Sequence, residues 1–491
     1  MNIKSYDILI IGSGIAGLYA ALCLEPRFRI LMLSKKELTA CNSAMAQGGI
    51  AAVLDKENDC TDLHFKDSLS AGGQVNNTDN LRTLVEQGPD DVENLLKLGV
   101  SFDENADGSL SLALEGGHSR KRVAHHKDST GHEIVTALTR HVRALGNVTL
   151  LENAHLLDLT KQGAGFSATV CRDNQAHEYY TAQICILATG GIGRVYNYTT
   201  NSPTATGDGI YFAQKLGAEI RDLSYIQFHP TAFNDKKSRE CFLITEAMRG
   251  EGAYLLNCDR ERFLQRYEPE RMELAPRDVV SKCILAEQER TGSDEFFLDV
   301  SHVDAEFIKN RFPTIYSRIL SCGFDITKEP VPIYPCQHYL MGGIATSGVG
   351  AASVPNLYAV GECSSTGVHG TNRLASNSLL EALVFSRRAA ESINALGIST
   401  AEISFNAPEN HRGGEPKPDG LRGEIRNIMQ KAYFITPDYE EIKAGLKRAR
   451  EIREVLQADK YALTPDLVES RALAAVACII LEELNGKEAQ P

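Results

Sequence analysis

The chain has 491 residues, a formal net charge of −13, 12 Cys and no Trp. That length is material for two to four domains with sizeable cores, and 43% hydrophobic against 23% charged residues excludes a disordered or collagen-like chain. The acidic balance argues against a nucleic-acid or anionic-membrane partner, and scattered cysteines without a C-x-x-C pair read as reduced cytosolic thiols rather than a disulfide framework or a zinc site.

Residues 1–7 are polar and lead straight into an apolar run, so no signal peptide is expected. No apolar run reaches the ~18 to 20 residues of a membrane span, and the chain is expected to be cytoplasmic and soluble. Residues 6–11 (YDILII) read as a buried parallel strand. Gly12-Ser13-Gly14-Ile15-Ala16-Gly17 follows, then helical spacing over 18–24 and a second strand at 29–33. This is the context in which G-x-G-x-x-G binds a dinucleotide. Gly12 allows the tight turn, Gly14 lets the backbone approach a pyrophosphate, and Gly17 lets the helix pack closely on the strand. The helix N-terminus offers free N–H groups and a positive dipole end to the phosphates. The carboxylate that holds an NAD ribose about 20 positions further on is missing, since Ser34 and Lys35 end the second strand.

Two later segments point to a flavin. Residues 184–188 (ICILA) form another buried strand, ending in Thr189-Gly190-Gly191; residues 357–360 (LYAV) form a third, ending in Gly361-Glu362. Glu362 is placed to take the missing ribose or ribityl role. Residues 375–381 (ASNSLLE) open a helix to about 393, whose N-terminus suits the anionic N1/C2=O edge of a reduced flavin. Strands near 10, 186 and 358 imply one nucleotide domain interrupted by a long insertion. That insertion, 224–339, carries QFHPT (227–231) and TEAMRGEG (245–252), and 271–287 is expected to be helical. Past 406 a polar stretch reads as a linker, followed by amphipathic helices at about 421–433, 439–456 and 466–484.

The strings GSGIAGL (12–18), AMAQGGIAAV (44–53), ILATGGIGRVY (186–196), TGDGI (206–210), FHPTAF (228–233), TEAMRGEGAYL (245–255), RDVV (277–280), HYLMGG (338–343) and VGECSSTGVHGTNRLASNSLLEAL (360–383) resemble the succinate dehydrogenase and fumarate reductase flavoproteins, in family order along nearly the whole chain. The histidine that links covalently to FAD in the membrane-bound members would lie five positions before Gln47; Asn42 stands there. The resemblance therefore implies non-covalent FAD. Glu115-Gly116-Gly117-His118-Ser119 resembles the EGGHS string of the family's L-aspartate oxidase branch, in which the glutamate meets the substrate's α-ammonium. A soluble fumarate reductase with non-covalent FAD and a flavin-binding subunit with a dead site are the rivals. EGGHS argues against the first, and the set His229, Glu246, Arg277, His338 and Arg373 against the second.

The family fold implied is α/β: a Rossmann-like FAD-binding domain (1–223 and 340–405) interrupted by an α+β capping domain (224–339) and followed by a C-terminal helical domain (415–491). For FAD, the resemblance assigns Gly12, Ser13, Gly14, Ile15, Ala16 and Gly17 at the turn, and Lys35 after the second strand. It assigns Asn42, Ser43, Ala44, Met45, Ala46, Gln47, Gly48 and Gly49 along the flavin, with Asp208, Glu362, Ser378 and Leu379 completing the site. His229, Thr245, His338 and Arg373 would bind a dicarboxylate, Arg373 bidentately. Glu246 would either bind substrate or orient Arg249 or Arg277. Arg277 resembles the family's proton-transfer arginine, although an arginine normally keeps its proton, and a purely cationic role fits amine oxidation. The reaction implied is oxidation of L-aspartate to iminoaspartate, with oxygen (giving hydrogen peroxide) or fumarate as acceptor. In the family this opens de novo NAD biosynthesis, and quinolinate synthase uses the imine. Three features depart from the pattern: Leu114 where the branch carries Arg, Tyr339-Leu340-Met341 after His338, and residues 486–491 where an E-S-R-G tail is expected. The basic run Ser119-Arg120-Lys121-Arg122 with His125-His126 reads as a loop near the active site.

Overall fold

The computed structural model describes residues 3–173, 177–234, 238–397, 403 and 414–488. Its first strand, Ile3–Ile11, is flanked by parallel partners on both sides, Ile30–Leu33 and His177–Leu187. Val148–Leu151 extends the sheet beyond the first partner, and Leu357–Ala359 pairs parallel with His177–Leu187. Ala154–Gln162 and Gly165–Arg172 add an antiparallel pair, completing seven strands. The central strands read as unbroken apolar runs because both sheet faces are covered. The turn at their end demands glycine. Gly12 has φ +111°, and a Cβ there would stand 2.0 Å from the Ala188 carbonyl oxygen. A Cβ on Gly17 would stand 2.1 Å from the Gly12 oxygen, so the helix Ile15–Cys23 sits against the turn as the spacing predicts.

Beyond the helix Asp208–Lys215 the chain builds a five-stranded antiparallel sheet, in the order Phe242–Leu243, Ile226–Phe233, Val331–Leu340, Phe296–Asp299 and Tyr254–Leu256. It has its own core around Phe233, Met248, Phe263, Ile284, Phe296 and Ile333. The helix expected over 271–287 starts later. Met272–Leu274 is a single 3₁₀ turn, and the α-helix is Arg277–Thr291. Pro276 is the reason: it holds Ala275 extended, at φ −64° and ψ 154°, and proline itself fits only at a helix start. Arg277 thereby becomes the first helical residue.

Three C-terminal helices follow, Leu421–Ala432, Tyr439–Gln457 and Pro465–Glu488. They share one core with the parallel sheet, in which Ile425, Ile442, Leu473 and Leu481 join Leu9, Leu31 and Phe212. The polar stretch expected to be a linker lies mostly outside the described residues. Among the described residues no helix is long and apolar enough to cross a membrane, and no cluster of His, Cys, Asp and Glu suits a metal ion.

The basic run at 119–122 is not uniform. Arg120 and Lys121 are exposed, whereas Arg122 is fully buried. Its guanidinium donates to Asp59 (2.8 and 3.0 Å), Asp67 (2.5 Å) and His118 Nδ1 (3.0 Å). His118 Nε2 in turn donates to the Ala375 carbonyl at 2.9 Å. Burial, with Arg122 beside it, pushes the His118 ring down to about 4, so it stays neutral. The run is thus a strut that ties the 115–118 loop to residue 375. Substituting Arg122→Met strands two carboxylates whose side chains are 2% and 13% exposed. Loss of one partner from a buried ion pair costs about 3–5 kcal/mol, which urea unfolding measures. A loss below about 1 kcal/mol, the scale of a surface pair, would refute the strut.

Candidate active site

A cavity of about 670 Å³ opens at the carboxyl ends of the parallel strands and runs under the antiparallel sheet. That volume lies within the range of cofactor and ligand sites. Of the residues assigned from the sequence, all but two line it. Gly17 packs behind the turn. Ile15 buries its side chain in the core, and its N–H donates to Ser43 Oγ at 3.2 Å.

The dinucleotide half is built around the helix Ile15–Cys23, whose N-cap is Gly14 with no side-chain cap. Beyond Ile15, its first-turn N–H groups and positive dipole end are left for an anion. Lys35, after the second strand, is held from three sides. Its Nζ lies 2.6 Å from Asp208, 3.1 Å from Glu469 on the last helix, and 2.7 Å from Thr206 Oγ1. The stretch Asn42 to Gly49 forms one wall. Asn42 Oδ1 accepts the Ser202 N–H at 2.8 Å, Gln47 Nε2 donates to Leu243 O at 2.6 Å, and the Gly49 N–H donates to Ser376 Oγ at 3.3 Å. Glycine is required at 49, where a Cβ would stand 2.3 Å from the Ala124 oxygen. Glu362 is partly buried and accepts the Leu340 N–H at 3.1 Å. Burial pushes its carboxyl up to about 7, against the pull of that N–H and of Arg373.

The other half gathers charge. Gln227 and His229 come from the strand Ile226–Phe233, Thr245 and Glu246 from the start of the helix Glu246–Gly250, and Arg277 from the helix that Pro276 opens. His338 lies on Val331–Leu340, and Arg373 and Ser376 precede the helix Asn377–Asn394. Glu246 Oε2 accepts from Arg277 Nε at 2.5 Å, and Oε1 lies 3.3 Å from Arg249 Nη2. Gln227 Oε1 accepts from both Arg277 Nη1 (2.9 Å) and Arg373 Nη2 (3.2 Å). The Gln227 amide nitrogen donates to Asn372 Oδ1 and the Arg373 carbonyl, which fixes which end faces the arginines. Arg373 also donates to Ser378 Oγ at 2.9 Å and lies over the Tyr339 ring at 4.3 Å. Sequence reading did not assign Gln227. No local pattern marks it, because its arginine partners lie 50 and 146 residues away.

Burial and the neighbouring Arg277 drive the guanidinium of Arg373 down to about 10. Burial and Arg277 also hold His229 and His338 well below the usual histidine range, so both are neutral. His229 Nδ1 accepts the Thr231 N–H at 3.2 Å, which leaves the ring proton on Nε2, without an acceptor among the described residues. Thr200 Oγ1 lies 2.7 Å from His338 Nδ1. The two carboxylates diverge. Burial raises Glu246, but Arg249 and Arg277 outweigh it and bring the group below its ordinary value. Burial and the Glu246 charge raise Glu115, against a 2.6 Å hydrogen bond from Ser376 Oγ.

Orphaned polar atoms show that this space is shaped for a ligand. Gln47 Oε1, Thr189 Oγ1, His229 Nε2 and Arg373 Nε are buried along its wall without a partner among the described residues. A glycine turn offering helix N–H groups to a pyrophosphate, beside a buried polar end for an anion, defines a dinucleotide-dependent oxidoreductase. The FAD binding domain family matches residues 7–379, and FAD is the cofactor. The L-aspartate oxidase of Clostridium perfringens is 48% identical over 79% of this chain and 86% of its own length. The L-aspartate oxidase of Streptomyces coelicolor is 42% identical over 98% and 87%. Among solved structures, a quinol–fumarate reductase with menaquinol molecules superposes with a TM-score of 0.89 at 28% identity, over 99% of this chain and 91% of that one. The Mycobacterium smegmatis Sdh1 complex gives 0.80 at 30% identity, over 99% and 87%. The chain belongs to the L-aspartate oxidase family, within the succinate dehydrogenase and fumarate reductase flavoproteins.

Glu362 carries a pH signature. Its carboxyl binds a proton more tightly folded than unfolded, rising from 4.5 to about 7. Its contribution to stability is therefore complete below pH 4.5 and is lost as the pH rises to about 7. Urea unfolding of FAD-free protein is expected to show Glu362→Gln gaining roughly 3 kcal/mol on the wild type across that window. Parallel stability curves would refute it.

Proposed function

We propose that the chain oxidises L-aspartate to iminoaspartate at the charged end of the FAD cavity, using non-covalent FAD. The observation that carries this is the placement of one buried carboxylate, Glu115, on the same wall as Arg277, Arg373, His229, His338 and Thr245. An amino dicarboxylate needs that complement: one anion for its ammonium, cations and hydrogen-bond donors for its two carboxylates. The names of the relatives support the same substrate. Asn42 supports non-covalent attachment, since a carboxamide has no nucleophilic ring nitrogen to bond the flavin.

In this reading Arg373 grips one carboxylate with its planar fork. The Nε2–H of neutral His229, His338 and the Thr245 hydroxyl complete the hydrogen bonds to the other. Glu246 and Gln227 hold the Arg277 guanidinium in place. It stabilises the dicarboxylate rather than trading protons. Glu115 meets the α-ammonium, and its raised affinity for a proton suits it to receive the one the amine sheds. When bound, the flavin supplies the two-electron acceptor for the hydride leaving Cα. Burial of Glu115, His229, Thr245, Arg277 and Arg373 limits the access of water to that transfer.

We further propose oxygen, giving hydrogen peroxide, or fumarate, giving succinate, as the acceptor. Fumarate fits because it presents the same two carboxylates. The place of the reaction is the first step of de novo NAD biosynthesis in the cytoplasm, the imine passing to quinolinate synthase. The division of labour is an FAD-binding domain of 1–223 and 340–405, a capping domain of 224–339 and a helical domain of 415–491.

Mixing the FAD-loaded protein with L-aspartate, D-aspartate or succinate, while following flavin bleaching and peroxide, tests the reading. Only L-aspartate is expected to bleach and to yield peroxide. Bleaching by succinate but not L-aspartate would make the chain a dicarboxylate dehydrogenase, and silence with all three would make the site a dead one. Glu115→Gln is expected to raise the KM for L-aspartate by about 10- to 100-fold, the worth of one hydrogen bond between charged groups. Inhibition by succinate, which lacks the ammonium, should weaken far less. Equal losses for both ligands would sink the ammonium contact.

Gln227→Leu separates the other half of the site. It removes the acceptor shared by Arg277 and Arg373, so L-aspartate KM and succinate inhibition are expected to worsen together, by about tenfold or more. A loss confined to L-aspartate would show that Gln227 does not organise the carboxylate end.

A further inference from the structure

We propose that a second cavity, between the edge of the parallel sheet and the C-terminal helices, binds a small phosphate-bearing anion. It measures about 670 Å³. Its walls come from distant stretches: Lys35 and Lys36 after the second strand, Arg194, Arg422 and Arg426 on the first C-terminal helix, and the start of the last helix. The charged lining consists of five cations, Lys35, Lys36, Arg194, Arg422 and Arg426, against two carboxylates, Asp466 and Glu469. In a chain of net charge −13 this is a local reversal of sign.

The two carboxylates are already engaged. Glu469 lies 3.1 Å from Lys35 Nζ and 3.0 Å from Arg422 Nη2, and Asp466 lies 2.8 Å from Arg422 and 2.8 Å from Lys417. Arg426 is left over. It is 9% exposed, and its Nε donates to the Arg194 carbonyl at 3.0 Å. Arg426 lines the cavity, and beyond the Nε bond its guanidinium has no hydrogen-bond or ion-pair partner among the described residues. Burial, with Arg239, Arg194 and Arg422 nearby, pushes its guanidinium down to about 10. The carboxylate of Glu240 reaches Arg194 only at 3.4 Å. A guanidinium set among Arg239, Arg194 and Arg422 without an ion-pair partner of its own gains from an arriving anion.

The chemistry of the donors selects the anion. Two guanidinium groups offer planar N–H forks that match phosphate oxygens. The last helix, Pro465–Glu488, begins at the wall, where residues 464–466 line the cavity and bring its positive end. Donors converging from separate elements suit a tetrahedral dianion better than a planar carboxylate. The cavity also shares a wall with the FAD site: Lys35 and Thr204 line both, and Lys35 reaches Asp208 on the cofactor side.

Calorimetric titration of the FAD-loaded protein with inorganic phosphate, pyrophosphate and 5′-AMP tests the proposal and separates free phosphate from a phosphate ester. Saturable binding of at least one probe is expected, weakened about tenfold or more by Arg426→Gln. Thr464→Asp gives an independent reading. Thr464 is exposed and its Oγ1 caps the last helix by accepting the Leu467 N–H at 3.2 Å. Aspartate keeps that cap while adding a negative charge to the wall, so the same weakening is expected even where Arg426→Gln fails to fold. Both variants should retain FAD and L-aspartate turnover in the absence of probe. No saturable binding of any probe at millimolar concentration would overturn the proposal, as would unchanged affinity in Thr464→Asp. Binding seen only in FAD-free protein would also overturn it, by making the cavity an extension of the cofactor site.

Discussion

Two guanidinium groups share one amide oxygen at the centre of this protein. Gln227 Oε1 accepts from Arg277 and Arg373 together, and that arrangement sets the electrostatics around it. Burial, with the like charge of Arg277 so close, pushes Arg373 down to about 10. Burial and the same field keep His229 and His338 neutral, so they serve as hydrogen-bond donors rather than further cations. It also separates the two carboxylates. Glu246 touches the arginines and is stabilised as an anion, a permanent counter-ion. Glu115 stands apart from them, hydrogen-bonded to Ser376, and its carboxyl is raised. Two carboxylates in one cavity pushed in opposite directions are suited to different tasks: Glu246 holds the arginines in place, and Glu115 is the one proposed to meet the ammonium.

Much of the scaffold that delivers these groups is legible in the sequence because its signals are local. The apolar runs of the parallel strands, the glycine turn and the return of the chain to the sheet at Leu357–Ala359 each follow from a few adjacent residues. The site residues were reached through motif strings, and most of them line one cavity. What was not legible depends on distance or on a single neighbour. The helix at 277 starts six residues later than its periodicity suggests, because Pro276 overrides the pattern. Arg122 sits in a charge run that reads as a loop, but Asp59 and Asp67, 63 and 55 residues earlier, draw it into the interior. Gln227 lies within a string that invites attention to the histidine two positions on.

The acidity of the chain is reconciled with anionic ligands by the same means at two places. Cations are collected from segments far apart in sequence and placed where the local sign is positive despite the whole. Lys35 joins the two regions, pairing with Asp208 on the cofactor side and with Glu469 on the last helix. The C-terminal helices are thereby wired to the nucleotide-binding wall by an ion pair as well as by their shared core.

Local rules of stability are broken in one neighbourhood. Arg277 puts a positive charge at the positive end of its own helix, where the dipole opposes it. Ser376 adopts a left-handed backbone at φ 62° without being glycine, a conformation that costs about 1–3 kcal/mol. Its hydroxyl donates to Glu115 and accepts the Gly49 N–H, so the strained residue positions the carboxylate and steadies the flavin wall together. Buried polar atoms without partners line the same cavity. Each feature opposes folding; a bound carboxylate would offset the charge at the helix end and satisfy orphaned donors, while the strain at Ser376 is carried by the surround. Struts outside the cavity, such as Arg122 with Asp59 and Asp67, hold the loops in place. A rigid surround is what allows the site to keep a geometry that its own residues would not choose.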